Sequence, residues 1–112
     1  MSENGNYALV FQASDRNVVL YKKETQGGKD YGVAIWASQT ERSNGSSLNM
    51  MPNGNLVLKG TNWDSGTAGN DGAYLNVQDS GDAKILNQDG KPIATTDTKG
   101  GHRSAHFGSF RK

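Results

Sequence analysis

Residues 11–22 read FQASDRNVVLYK and carry a polar set whose types and spacing point to recognition chemistry. Asp15, Asn17, Val19 and Tyr21 recur at every second position, with Arg16, Val18 and Leu20 between them and Gln12 just ahead. In a strand, that period places the first group on one face and the second on the other. An ionised Asp15 only accepts hydrogen bonds, whereas the amides of Gln12 and Asn17 and the phenol of Tyr21 both donate and accept. Such a set pairs with neighbouring hydroxyls, each itself a donor and an acceptor, and Val19 adds an apolar patch. This is the chemistry of binding. Nothing in the chain sets a nucleophile beside a base, and QGGKDYG reads as a flexible loop, not a phosphate cradle, so no enzyme is expected. Each residue also has a plainer reading. Asp15 and Asn17 favour turns for backbone reasons, and Tyr21 alone is an ordinary strand aromatic. The combination carries the argument.

The elements that position these residues are short strands. No segment longer than about ten residues shows helical periodicity. Instead, YALVF–QASDRN–VVLYK, SLNMM–PNGN–LVLKG and AYLNVQ–DSGD–AKILN each read as strand, polar turn and strand, which is a hairpin. Asn53-Gly54 marks the second turn most clearly, because both residues tolerate a positive φ. Aligned on their turns, the hairpins superpose Asn17, Asn55 and Asp82, and the segments WASQT, WDSGT and ATTDT follow them. The sequence therefore reads as an all-β domain of three related units, at about 6–40, 46–67 and 73–98, each of four or so short strands. Trp36 and Trp63 are expected inside, around a common axis, with Ala94 in the third tryptophan's place leaving less to fill it. Met50 and Met51 read as gap-filling core residues.

Composition sets the outer bounds. At 112 residues the chain is one domain, and 33% hydrophobic content with 15 glycines favours many short elements. A net charge of +1 gives no global field for nucleic acid or an anionic membrane, so neither is an expected partner. The local basic cluster of Lys99, His102, Arg103, Arg111 and Lys112 reads as a solvated terminus. There is no cysteine. MSENGNYALV lacks a basic segment followed by an apolar run, and no stretch has the length of a membrane span. The expectation is a protein that is cytoplasmic, or secreted without a recognisable signal peptide. Asn44-Gly45-Ser46 fits a glycosylation acceptor but reads as a turn. His102 and His106 have the spacing of a helical metal pair, yet no helix is indicated there and no third ligand is near, so no metal is expected.

The spacing Asp15-x-Asn17-x-Val19-x-Tyr21, with Gln12 before it, resembles the Q-x-D-x-N-x-V-x-Y motif of the monocot mannose-binding, or bulb-type, lectins. The three hairpin units with tryptophans after them resemble that family too, over about residues 6–98. The resemblance implies a β-prism of three four-stranded antiparallel sheets, with mannose or mannose-terminated glycans bound without calcium or any cofactor. The first unit matches at Gln12, Asp15, Asn17, Val19 and Tyr21, although one extra residue separates Gln12 from Asp15. If the two flank a turn, the longer turn leaves Gln12 on the right face; a straight strand would turn it to the other side. The turn is the reading adopted here.

The matching positions of the second unit are Met51, Asn53, Asn55, Val57 and Lys59, and those of the third are Gln78, Ser80, Asp82, Lys84 and Leu86. Asn53, Asn55, Gln78 and Asp82 are thus weaker candidates. Family members often tie their first two units with a disulfide, and Arg16 stands where one such cysteine can sit, so packing alone must supply stability. The tail, 99–112, is expected to supply a missing strand through Phe107 and Phe110, either to its own prism or to a neighbour's. Exchange would make a homodimer and double the sites. The rival expectation, from a different class, is a prism without sugar binding that serves as a protein-interaction or structural module.

Overall fold

The computed structural model describes residues 1–105 and 107–112. His106 of the histidine pair lies outside the described residues. Eight strands form the regular structure: β1 (Tyr7–Gln12), β2 (Asn17–Gln26), β3 (Lys29–Ala37), β4 (Ser47–Met50), β5 (Leu56–Lys59), β6 (Tyr74–Val77), β7 (Ala83–Leu86) and β8 (Pro92–Thr95). They make three antiparallel sheets, β1-β2-β3, β4-β5 and β6-β7-β8, and no helix occurs among the described residues.

The three units therefore contribute three, two and three strands, fewer than the four or so expected of each. In the second unit the returning chain meets its sheet only at the isolated Val57–Asp64 bridge. Gly60 takes a left-handed φ directly after β5, and the returning chain makes two ladder bonds there, Leu58 N–H to Trp63 O and Ser65 N–H to Leu56 O.

Each hairpin is closed by a tight turn whose last residue has φ > 0. Pro52–Gly54 and Asp79–Gly81 are three-residue loops in which Gly54 (φ 87°) and Gly81 (φ 98°) supply that conformation. The first hairpin has four turn residues, 13–16, and Arg16 holds the equivalent position at φ 62°. The extra residue is absorbed within the turn: Arg16 N–H donates to Gln12 O at 2.6 Å, and Gln12 pairs directly with Asn17.

Alternation then sorts the side chains. Leu9, Phe11, Val18 and Leu20 face inward from the first sheet, and the pairs Leu56/Leu58 and Ala83/Ile85 repeat the Val18/Leu20 positions in the other two. Ala8, Val10, Gln12, Asn17, Val19 and Tyr21 fall on the outer face of the first sheet. Met51 departs from expectation. Met50 packs against the core, but Met51 is 43% exposed, because its outward parity matches that of Ser47 and Asn49.

A hydrogen-bonded clamp recurs in each unit and explains the aligned segments. Asn17 Oδ1 accepts from Ser38 Oγ and from the Thr40 amide, both at 3.1 Å. Asn55 Oδ1 accepts from Ser65 Oγ at 3.1 Å and the Thr67 amide at 3.2 Å. Asp82 Oδ1 accepts from Thr96 Oγ1 at 3.2 Å and the Thr98 amide at 3.4 Å. The outer threonine then donates to the last turn carbonyl: Thr40 to Arg16 O, Thr67 to Gly54 O and Thr98 to Gly81 O, at 3.0, 2.6 and 2.6 Å. Buried polar groups destabilise a fold unless paired, and here each donor meets its acceptor three times over.

The axis between the sheets is aromatic. Trp36 and Trp63 meet edge to face with ring centroids 6.2 Å apart, and the third place, vacated at Ala94, is filled by Phe110 from the tail. Its ring lies 5.0 Å from Trp36 and 6.3 Å from Trp63. Both indole N–H groups donate to tail carbonyls, Trp36 to Ser109 O at 3.0 Å and Trp63 to Gly108 O at 2.8 Å. Arg111 exchanges two backbone bonds with Thr95, extending the third sheet by one bridge. The tail thus completes its own chain's core, and the deficit expected at Ala94 is made good from a distant segment.

Candidate functional site

The first hairpin brings Gln12, Asn17, Val19 and Tyr21 to the outer face of β1 and β2, with Asp15 at its rim in the turn. Gln12 lies level with Asn17, Val10 with Val19 and Ala8 with Tyr21. The Gln12 side-chain amide donates to Tyr21 Oη, so the pair spans the Val10–Val19 level. Val19 lies on the central strand between Val10 and Ala37 and is 4% exposed although it faces outward, whereas Val10 on the edge strand is 39% exposed.

Asn17 is engaged on both sides. Its oxygen belongs to the clamp, which leaves Nδ2 as its one group for the outer face. That nitrogen donates to Glu41 Oε2 at 2.9 Å. Asn17 thus offers an incoming ligand a donor only, not the donor-and-acceptor pair that its side chain carries in isolation. Asp15 is exposed, and its Oδ1 accepts from the Asn17 amide N–H at 3.1 Å, an Asx-type turn that fixes the start of β2. Asp15 and Asn17 are therefore neighbours through the turn rather than through strand alternation. Arg16 stands beside them, its guanidinium donating to Ser43 O at 2.9 Å. On the opposite face of β2, Glu24 hydrogen-bonds Lys22 at 3.0 Å, and that bond, with the carboxylate's charge, holds the ammonium above its ordinary range.

Glu41 is the member that spacing did not reveal. It follows the clamp threonine, is exposed, and reaches the outer face only because the WASQT segment folds back over the first turn. A polar residue directly after the S-x-T clamp is the signal that could have found it.

The other candidates sit on separate sheets. In the second unit Asn53 repeats the role of Asp15, its Oδ1 accepting from the Asn55 amide at 3.1 Å, while Met51 and exposed Lys59 stand where Gln12 and Tyr21 stand in the first. In the third, Gln78 is half-buried opposite Asp82. Asp82 is buried, and its bonds gather on one oxygen: Oδ1 also accepts from Thr95 Oγ1 at 2.5 Å, while Oδ2 lies 3.9 Å from Lys84 Nζ. Neither sheet pairs an amide with a phenol. Among the described residues no group of three or more His, Cys, Asp or Glu converges as a metal site would require.

No family model matches the sequence, and no curated protein and no solved structure matches it either.

Proposed function

We propose that the chain is a β-prism of the bulb-lectin type that binds mannose or mannose-terminated glycans, without metal or cofactor, through the outer face of its first sheet. The observation that supports this most directly is the bond from Gln12 to Tyr21 Oη, which unites the two ends of the motif despite the extra turn residue. A hexose displaces that internal pair: one hydroxyl donates to the Asp15 carboxylate, another accepts from Asn17 Nδ2, and others take up Gln12 and Tyr21 Oη. The ring's C–H face then meets Val19. An epimer that misplaces one hydroxyl leaves a polar group unpaired, which is the source of selectivity. A shallow site of this kind binds one sugar in the millimolar range, roughly 4 kcal/mol. Useful affinity therefore calls for several sites together, and a homodimer presenting two such faces meets that need.

A second reading, a protein-interaction or structural module, is favoured by the second and third units, where Met51, Lys59 and Leu86 replace the amide and the phenol. Titration with mannose and with galactose, followed by amide chemical shifts, separates the two. Saturable shifts over residues 12–21 with mannose alone are expected, and they should vanish in Asp15→Asn, which keeps the turn acceptor as Asn53 does. Silence with both sugars in the folded protein would move the assignment to the interaction module.

A further inference from the structure

The first sheet differs from the others in the length of its second hairpin. β2 and β3 run for 10 and 9 residues, against 4 for every strand of the other two sheets. The extension forms one wall of a cleft of about 240 Å³, lined among others by Asn6, Ala8, Tyr21, Lys23, Asp30 and Tyr31. Tyr21 belongs to both this cleft and the Gln12 face, so the two are continuous.

Both walls are held by hydrogen bonds within the chain itself. On one side Ser2 folds back on Tyr7, with Ser2 N–H donating to Tyr7 O at 2.8 Å, and the Asn4 amide donates to Asp79 Oδ1 at 2.9 Å. On the other, Thr25 Oγ1 donates to Asp30 Oδ1 at 2.7 Å behind the Gly27-Gly28 turn. The floor is kept open by Gly32. Its φ lies outside the left-handed region, so the backbone does not demand glycine there. A Cβ at this position would stand 3.0 Å from Tyr21 Cδ1, against the face of the phenol ring. The lining joins aromatic and alkyl carbon to an amide, and Lys23 and Asp30 offset each other in charge. These features fit a neutral polyhydroxylated ring, and the volume, below the 300 Å³ or so of a drug-sized pocket, fits a single one.

We propose that this cleft is a second subsite, seating the next residue of a neutral oligosaccharide whose terminal mannose lies on the Gln12–Tyr21 face. The inference rests on the sugar-binding reading of that face. It makes the preferred ligand a disaccharide or longer, selected by linkage.

Calorimetric titration with methyl α-mannoside and with the α-linked mannose disaccharides tests it. The native protein should bind at least one disaccharide about tenfold more tightly than the monosaccharide, equivalent to about 1.4 kcal/mol. Tyr31→Ala, at a residue 48% exposed and outside the first subsite, should remove that advantage and leave the methyl mannoside affinity unchanged. Gly32→Val, which crowds Tyr21, should weaken both ligands. Equal affinity for monosaccharide and disaccharides in the native protein overturns the subsite and leaves the sugar site standing. A disaccharide advantage that survives Tyr31→Ala overturns it as well. No response to any of these sugars overturns the reading of the Gln12–Tyr21 face, and the subsite with it.

Discussion

The first and third units are built on one plan and differ in what they leave for the outside. Asn17 and Asp82 hold equivalent positions, both are buried, and both spend Oδ1 on the same serine or threonine hydroxyl and threonine amide. The second atom of each head group makes the difference. Asn17 turns Nδ2 toward Glu41 at the surface, while Asp82 turns Oδ2 toward Lys84, its Oδ1 taking a further bond from Thr95. The units differ inside as well, since the first carries its own Trp36 and the third relies on Phe110 from the tail. The clamp thus sets the architecture, and one atom beyond it separates a face with a spare donor from a closed one. A polar residue repeated in three units is more safely read as scaffold than as ligand contact, until the partner of each of its atoms is known.

The comparison can be broken at several points. Phe110→Ala removes the third unit's borrowed aromatic and should cost about 3–5 kcal/mol in denaturant unfolding, the range for a buried phenylalanine. An unchanged unfolding midpoint in Phe110→Ala would show that the axis does not need a third ring. Asn17→Ala deletes a clamp acceptor and leaves the Thr40 N–H and Ser38 hydroxyl without it, for about 2 kcal/mol. Asn17→Asp copies the third unit into the first. It keeps the clamp acceptor but replaces the bond to Glu41 with two facing carboxylates, so stability should fall by about 1–2 kcal/mol, and mannose binding should weaken at least about tenfold as the outward donor of Asn17 disappears. Unchanged binding in Asn17→Asp would remove Asn17 from the ligand contacts. Glu41→Gln is the gentlest change. Stability should stay within about 0.5 kcal/mol, and mannose affinity should rise a few-fold, because a neutral amide holds Asn17 Nδ2 less firmly than a carboxylate does. A fall in affinity would instead make Glu41 a ligand contact in its own right.

What the sequence discloses is local. The hairpins follow from alternation and turn residues, and the alignment of Asn17, Asn55 and Asp82 with the S-x-T segments follows from simple superposition, because the clamp spans neighbouring elements of one unit. The face of Gln12 also follows once the extra residue is assigned to the turn, since pairing with Asn17 then fixes the parity. Phe110 is different. Its partnership with Trp36 joins residues far apart in the chain, and no periodicity encodes which distant aromatic fills a gap at Ala94. Glu41 escapes for a related reason: it meets Asn17 by a fold-back across 24 positions, not by strand spacing. The same limit hides the division of labour within Asn17, because residue type states what a side chain can bond, and only its neighbours state which atoms are already taken. The second unit falls short of the expected strands because Gly60 turns the chain directly after β5 and its return makes one bridge, Val57–Asp64, which residue types alone do not disclose.

The aromatic axis has a consequence for the order of assembly. Its closing bonds join Trp36 to Ser109 and Trp63 to Gly108, across 73 and 45 positions, whereas each hairpin joins near neighbours. During synthesis the hairpins emerge first, and their axis lacks its third ring and the acceptors for both indoles until residues 108–110 have cleared the ribosome. The chain is therefore expected to mature in one late step, after translation has passed the tail. Both indoles change surroundings in that step, so tryptophan fluorescence should report it as a single slow phase that Phe110→Ala slows or abolishes.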